Sequence, residues 1–263
     1  MESNEFTPGR FCWCELATSD ADAATAFYSE FFNWTTETHP MGGGHGDYTM
    51  LRLNGKDVGG LYKLMPEQAS QGVPPHWLSY VGVADVDAAT EKAKSLGGNC
   101  LMEPLDIMDK GRMSVIQDPS GAVLALWQAK ASCGSGVFGE PGATCWNELL
   151  TNDPAKAGEF YAQLFDWEKH EQDMGGTQYT MFMQDGAPVG GMMPLPPEAE
   201  EAPSHWMLYF SVGDCDESVE RATKMGAKVC VPPMDVPSIG RMAVLMDPQN
   251  AAFSIIQLAP QPC

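Results

Sequence analysis

Residues 11–34, FCWCELATSDADAATAFYSEFFNW, return 133 positions later as residues 144–167, TCWNELLTNDPAKAGEFYAQLFDW. Trp13, Glu15, Asp20 and Phe27-Tyr28 thus recur as Trp146, Glu148, Asp153 and Phe160-Tyr161. The match continues downstream. Tyr48 and Gly59-Gly60 reappear as Tyr179 and Gly190-Gly191, at an offset of 131. His76-Trp77, Tyr80, Asp85, Gly111-Arg112 and Asp118-Pro119 reappear as His205-Trp206, Tyr209, Asp214, Gly240-Arg241 and Asp247-Pro248, at an offset of 129. A drift of four residues across the whole comparison means tandem duplication with little inserted between the copies. We therefore expect two domains, 1–131 and 132–263, joined by the Ser/Gly/Ala-rich stretch 129–141.

Each copy divides again. Residues 11–17 read as a strand, and Thr18-Ser19-Asp20 offers caps for a helix whose stripe is Ala24, Phe27, Tyr28 and Phe31. In the second copy Pro154 sits in the first turn, where its missing donor costs little. The helices are expected to stop near Asn33 and Asp166, ahead of shorter, turn-rich segments around Tyr48 to Leu53 and Tyr179 to Met183. A second unit starts at His76, with a strand over 77–83, a cap at Asp85 and a helix ended by Gly97-Gly98. Its later counterpart has Asp214 as cap and Gly226 as stop. Turns at Asp118-Pro119-Ser120-Gly121 and Asp247-Pro248-Gln249-Asn250 separate the closing strands. Strand, helix, then two or three strands occurs four times. No glycine-rich phosphate fingerprint follows a strand, which argues against a Rossmann sheet.

Composition narrows the partners. The formal charge is -20, from 35 acidic and 15 basic residues, without a basic run to relieve it. A nucleic-acid partner needs a cationic footprint, so none is expected, and anionic membranes are disfavoured for the same reason. The amino end lacks the basic flank and apolar core of a secretory signal, and no apolar run approaches a membrane span. The expectation is a cytoplasmic protein, monomer or homodimer, whose eight cysteines are small buried hydrophobes rather than disulfides or a zinc site.

The aspartate-to-Phe-Tyr spacing on the first helix and the Asp-Pro turn before the last strand resemble the vicinal oxygen chelate superfamily. That group includes glyoxalase I, extradiol dioxygenases and bleomycin-resistance proteins. The chain is similar in particular to two-domain, glyoxalase-like bacterial proteins. The resemblance implies an α+β fold of four βαβββ modules, paired into two glyoxalase-like domains with cupped mixed sheets, and a substrate or metal inside each cup. It also locates the metal ligands. The family histidine, seven residues before the helix-starting aspartate, falls on Trp13, Leu78, Trp146 and Met207; the glutamate, seven after the Asp of Asp-Pro, falls on Ala125 and Ser254. The third ligand position falls near Gly59-Gly60 or Gly190-Gly191. These residues do not build a divalent site, so no metal and no cofactor are expected.

If Trp13 faces the cup, strand alternation places Phe11, Glu15 and Ala17 beside it and turns Cys12, Cys14 and Leu16 to the helix layer. By the same rule Glu148 joins Trp146, with Tyr80 and Tyr209 on the inward face of the neighbouring strands. Candidate catalytic residues are therefore Glu15, Tyr80, Glu148 and Tyr209: a carboxyl in an apolar site for proton transfer, a phenol for a developing oxyanion. Candidate ligand contacts are Trp13, Trp146, His45 in the glycine-rich stretch 42–46, Arg112 and Arg241. The arginines have a competing reading as buried structural partners of Glu15 and Glu148. Three functions follow from this inventory: a metal-independent lyase or isomerase acting on a small carbonyl or hydroxy compound, a protein that binds or sequesters a planar or apolar molecule, and a scaffold whose cups are filled.

Overall fold

A computed structural model describes residues 6–42, 46–199 and 202–260. The first half runs β1 (Phe11–Thr18), α1 (Ala21–Phe32), β2 (Thr35–Pro40), β3 (Asp47–Leu53), β4 (Lys56–Lys63), α2 (Pro66–Ser70), β5 (His76–Gly82), α3 (Val86–Ser95), β6 (Asn99–Ile107), β7 (Gly111–Gln117) and β8 (Val123–Ala129). The second repeats it as β9 (Thr144–Thr151), α4 (Pro154–Phe165), β10 (Glu168–Asp173), β11 (Gln178–Gln184), β12 (Ala187–Pro194), β13 (His205–Ser211), α5 (Cys215–Lys224), β14 (Lys228–Val236), β15 (Gly240–Met246) and β16 (Ala252–Leu258). A 3₁₀ turn at Pro197–Ala199 replaces α2 in the second half.

The caps behave as the residue types dictate. Asp20, Asp85, Asp153 and Asp214 each accept a backbone N–H three residues on. Asn33 and Asp166 close their helices in the left-handed conformation, with φ of 56° and 57°.

Each half forms one mixed eight-stranded sheet, in the order β2-β3-β4-β1-β5-β8-β7-β6 and β10-β11-β12-β9-β13-β16-β15-β14. The two modules of a half are stitched at the centre, where β1 runs antiparallel to β5, while β1 with β4 and β5 with β8 are parallel. The expected cups are not formed. Stitching β1 to β5 makes the second module extend the first, so the sheet stays open, with β2 and β6 as its two edges and β10 and β14 as those of the other. The edges are defended rather than paired. β2 is polar and fully exposed, and β6 and β14 carry Pro104 and Pro232-Pro233 next to breaks in register.

The cores belong to both halves at once. Phe27, Tyr28, Phe31, Phe32 and Trp34 from α1 and its exit pack with Phe210, Phe253 and Ile255 of β13 and β16. Reciprocally, Phe160, Tyr161, Leu164 and Trp167 pack with Val81, Ile116, Leu124 and Leu126 of the first sheet. Polar staples run through this apolar layer. Trp77 Nε1 donates to Tyr28 Oη (3.1 Å), which donates to Asp247 Oδ2 of the other half (2.9 Å). Trp34 Nε1 reaches Gly142 O and Trp167 Nε1 reaches Gly9 O, both at 2.8 Å. The stretch between the sheets is tied down as well, by Ser135 N to Cys12 O (2.7 Å) and Gly136 N to Asp57 O (2.8 Å).

The repeated Phe-Tyr pairs, the tryptophans of the His-Trp pairs and Asp247 are thereby accounted for by architecture. Asp118 and Asp247 spend one oxygen on the backbone of their own turns. Replacing Tyr28 by Phe leaves Asp247 Oδ2 without its donor and Trp77 Nε1 without its acceptor in a buried layer. We expect Tyr28→Phe to lower unfolding free energy by about 2–6 kcal/mol in urea titrations, from one orphaned buried acceptor and one orphaned donor at about 1–3 kcal/mol each. A midpoint equal to that of the wild type would show the staple to be dispensable. Among the described residues no helix is long and apolar enough to cross a membrane.

Candidate functional site

β-strand register brings the candidates together on the sheet faces that point away from the shared cores. In the first sheet Trp13 lies opposite Tyr80 and Glu15 opposite Leu78, while Glu15 sits beside Gly60 on β4. Alternation fails at one place. A bulge between Phe11 and Trp13 turns Phe11 toward the other half, against Trp206 (5.1 Å) and Trp167 (6.0 Å), and leaves Cys12 beside Trp13. Cys14 and Leu16 face the core.

The residue that completes the site comes from β3. Tyr48 Oη donates to Glu15 Oε2 (3.0 Å) and accepts from Trp13 Nε1 (3.1 Å). β4 lies between β3 and β1, so the Tyr48 ring must cross it, and it does so over Gly60. A Cβ at Gly60 would collide with the Tyr48 hydroxyl, and a Cβ at Gly191 with that of Tyr179. The second sheet repeats the arrangement with the bonds redistributed. Trp146 Nε1 donates to Tyr179 Oη (3.1 Å), and the direct donor to Glu148 Oε2 is Tyr209 (2.8 Å). In the first sheet the corresponding Tyr80 directs its hydroxyl at Met113 Sδ (3.9 Å), a weak acceptor, from a position that also stabilises the Glu15 carboxylate.

Electrostatics follow from burial. Desolvation raises both glutamates above the ordinary carboxyl range, and the neighbouring tyrosines, Tyr80 and Tyr48 for Glu15 and Tyr209 and Tyr179 for Glu148, offset part of that rise. The phenols are driven up too, first by burial and then by the carboxylate charge, so they remain donors. Glu15 retains a partly accessible surface, whereas Glu148 is 8% exposed. Each sheet face therefore holds a carboxyl able to gain or lose a proton above the usual range, next to neutral phenols and an indole.

Tyr48 and Tyr179 were not among the sequence candidates, although their recurrence together with the glycine pairs was visible. We expect Gly60→Ala to displace the Tyr48 hydroxyl and break its bond to Glu15 while the fold survives. Tyrosine absorbance and circular dichroism in the aromatic region should change, with far-ultraviolet dichroism intact; unchanged aromatic spectra would mean that the ring does not depend on the gap.

Other candidates lie elsewhere. Arg112 binds Asp87 through Nε (2.8 Å) and Nη2 (2.9 Å) and approaches Asp106. Arg241 does the same with Asp216 and Asp235. Neither pairs with Glu15 or Glu148. Met113 and Met242 face the site side of β7 and β15, so the adjacent arginines point to the first turns of α3 and α5. His45 lies outside the described residues. His76 and His205 bond the carbonyls of Pro74 (2.9 Å) and Pro203 (2.8 Å), closing local turns.

The superfamily's metal chemistry meets an unsuitable donor set here. Its ligand positions hold Trp13, Leu78, Ala125, Trp146, Met207 and Ser254. One carboxyl per sheet, beside phenols kept neutral, does not satisfy a divalent ion. Among the described residues no group of three His, Cys, Asp or Glu side chains is placed to hold one.

Comparison with known proteins agrees with the duplicated architecture. Residues 10–126 match the family described as the Glyoxalase/Bleomycin resistance protein/Dioxygenase superfamily, and residues 144–256 match the Glyoxalase-like domain. The chain is 40% identical to the Mycobacterium tuberculosis protein named "Putative glyoxylase CFP32", over 98% of each chain. It is 33% identical to the anthracycline biosynthesis protein DnrV of Streptomyces peucetius, covering 96% of this chain and 94% of that one. Among solved structures, the Mn(II)-bound glyoxalase from Novosphingobium aromaticivorans superposes with a TM-score of 0.64 at 12% identity, over 95% of this chain and 82% of the other. The dioxygenase LapB from Pseudomonas sp. KL28 gives 0.64 at 12% identity, over 98% and 96%. At these identities the structural likeness concerns the fold.

Proposed function

This chain belongs to the glyoxalase/bleomycin resistance protein/dioxygenase superfamily, a fold compatible with small-molecule binding or catalysis, and from that premise we propose a metal-independent lyase or isomerase acting on a small carbonyl or hydroxy compound. The observation that carries the proposal is the pairing, in both sheets, of a desolvated carboxyl with phenol donors on a tryptophan-lined face. A carboxylate whose proton affinity is raised is a better base near neutral pH than an ordinary one. Glu15 takes a proton from carbon next to the ligand carbonyl. Tyr80, whose hydroxyl rests on sulfur beside Glu15, donates to the oxygen that gains charge once Glu15 has taken the proton and no longer needs its support. Glu148 and Tyr209 form the corresponding pair, with the Tyr209 hydroxyl bonded to the carboxylate until it is protonated, and Trp13 and Trp146 supply the flat apolar surface. The same reading takes 1–131 and 132–263 as the two domains of a cytoplasmic monomer or homodimer that handles a small molecule, with neither nucleic acid nor membrane as partner.

One observation favours a second reading. The Trp13–Tyr48–Glu15 string satisfies its own hydrogen bonds, as expected of a site that only binds. The presence in the family of proteins named for anthracycline biosynthesis supports a planar ligand for either reading.

Deuterium exchange separates them. Chelator-treated protein is incubated in deuterium oxide with dihydroxyacetone, acetoin or tetralone, and proton NMR follows the positions next to the carbonyl. Protein-dependent exchange that survives the chelator is the expected result. Binding without exchange would establish the second reading. Exchange that appears only after a divalent metal is added would overturn the proposal.

A further inference from the structure

The two sites differ at several positions on the same face, and one of the differences places a phenol in the first sheet alone. Two residues beyond Gly60, and therefore on the same side of β4, stands Tyr62; the residue two beyond Gly191 is Met193. Tyr62 lies opposite Tyr48 across β3–β4 and beside Ala17 of β1, next to the Gly60–Glu15 pair. Its oxygen accepts a long bond from Gln68 Nε2 (3.5 Å), and Gln68 is fixed by accepting from Met65 N (3.0 Å). Gln68 belongs to α2, which the second half replaces by a 3₁₀ turn. The hydroxyl proton of Tyr62 has no acceptor among the described residues. Burial, and then the Glu15 charge, push its pKa up to about 12, so the proton stays in place. Trp127 adds a further ring beside Tyr80 (6.5 Å), where the second sheet has Ile256.

We propose that Tyr62 is a specificity-determining residue of the first site, donating to a second oxygen on a flat ligand, so that this site selects hydroxylated aromatic or quinone-like compounds through a contact that the Met193 site lacks. The inference rests on the proposed function in taking the Glu15 face as ligand-binding. A polar donor left unpaired in a part-buried aromatic site favours ligands that pair it, whereas methionine adapts to shape without such a demand.

The test uses alizarin, a flat molecule with adjacent hydroxyl and carbonyl oxygens, and anthracene, the same ring shape without oxygen. Quenching of tryptophan fluorescence reports their binding to wild type, Tyr62→Phe and Met193→Tyr, each first shown to melt like the wild type. Tyr62→Phe is expected to weaken alizarin by roughly threefold to tenfold, the worth of one hydrogen bond, with anthracene unchanged. Met193→Tyr is expected to raise the number of tight alizarin sites from one to two. Equal weakening of both probes, or no weakening of alizarin, would overturn the inference and leave the Glu15 proposal standing. Failure of both probes to bind wild type would count against the proposed function itself, and this inference would fall with it.

Discussion

Expressed apart, residues 1–131 and 132–263 are expected to lose cooperative folding, and mixing the two pieces is expected to restore it. Separation strips Phe27, Phe31, Phe32 and Trp34 from Phe210 and Phe253, and Phe160, Tyr161 and Trp167 from the first sheet. Full burial of a large apolar side chain is worth about 1.5–3 kcal/mol. Several such losses equal the whole stability of an ordinary domain, about 5–15 kcal/mol. The Tyr28–Asp247 bond is cut by the same division. Fragments that bind a hydrophobic dye and lack a sharp thermal transition are therefore the expected outcome. Two monomeric fragments that each melt near the intact protein would show the shared cores to be superficial.

Glu15→Gln should reduce carbonyl-adjacent exchange by about 100- to 10,000-fold, the range of general acid–base contributions. Glu148→Gln should reduce it less, because Glu148 is the more enclosed carboxyl. Glutamine keeps the volume and can still accept from Tyr48 or Tyr209, so the loss should not arise from unfolding. Both glutamates have folded pKa values raised above the unfolded ones, so the native state holds the extra protons. Their contribution is fully present below the unfolded carboxyl range and is lost as pH rises through the folded values. An amide does not ionise. Each glutamine variant should accordingly melt at or above the wild-type temperature at neutral pH, with a flatter stability profile on the alkaline side. Equal losses of exchange would mean two equivalent sites; a loss confined to Glu148→Gln would move the chemistry to the second sheet.

Local features were legible in the sequence because local chemistry decides them. Aspartate caps, left-handed Asn33 and Asp166, and the Phe-Tyr stripe depend on neighbours within one turn. The duplicated module followed from spacing, and the family from a resemblance in its motifs. What failed depended on strand order. The central β1–β5 stitch leaves the sheets open, and no local signal encodes whether two modules close or continue. The bulge at Phe11 serves Trp167 and Trp206 in the distant half. Arg112 was a plausible partner for Glu15 until β7 placed it on the opposite face, beside Asp87. Tyr48 reaches Glu15 only because β4 intervenes with a glycine, a relation visible beforehand only as a tyrosine and a glycine pair recurring at one offset. From the most recognisable motifs, Asp247, Trp77 and Trp206 hold the halves together, while His76 and His205 close local turns.

The central claim is that two glutamates carry raised proton affinity within the protein's own aromatic sites. Isotope-edited infrared or carbon NMR titration of glutamate-labelled protein measures this directly, with Glu15→Gln and Glu148→Gln assigning the signals. Two carboxyls should titrate clearly above the ordinary glutamate value of 4.5, each disappearing in one variant. Glutamates that all titrate at or below that value would contradict the claim.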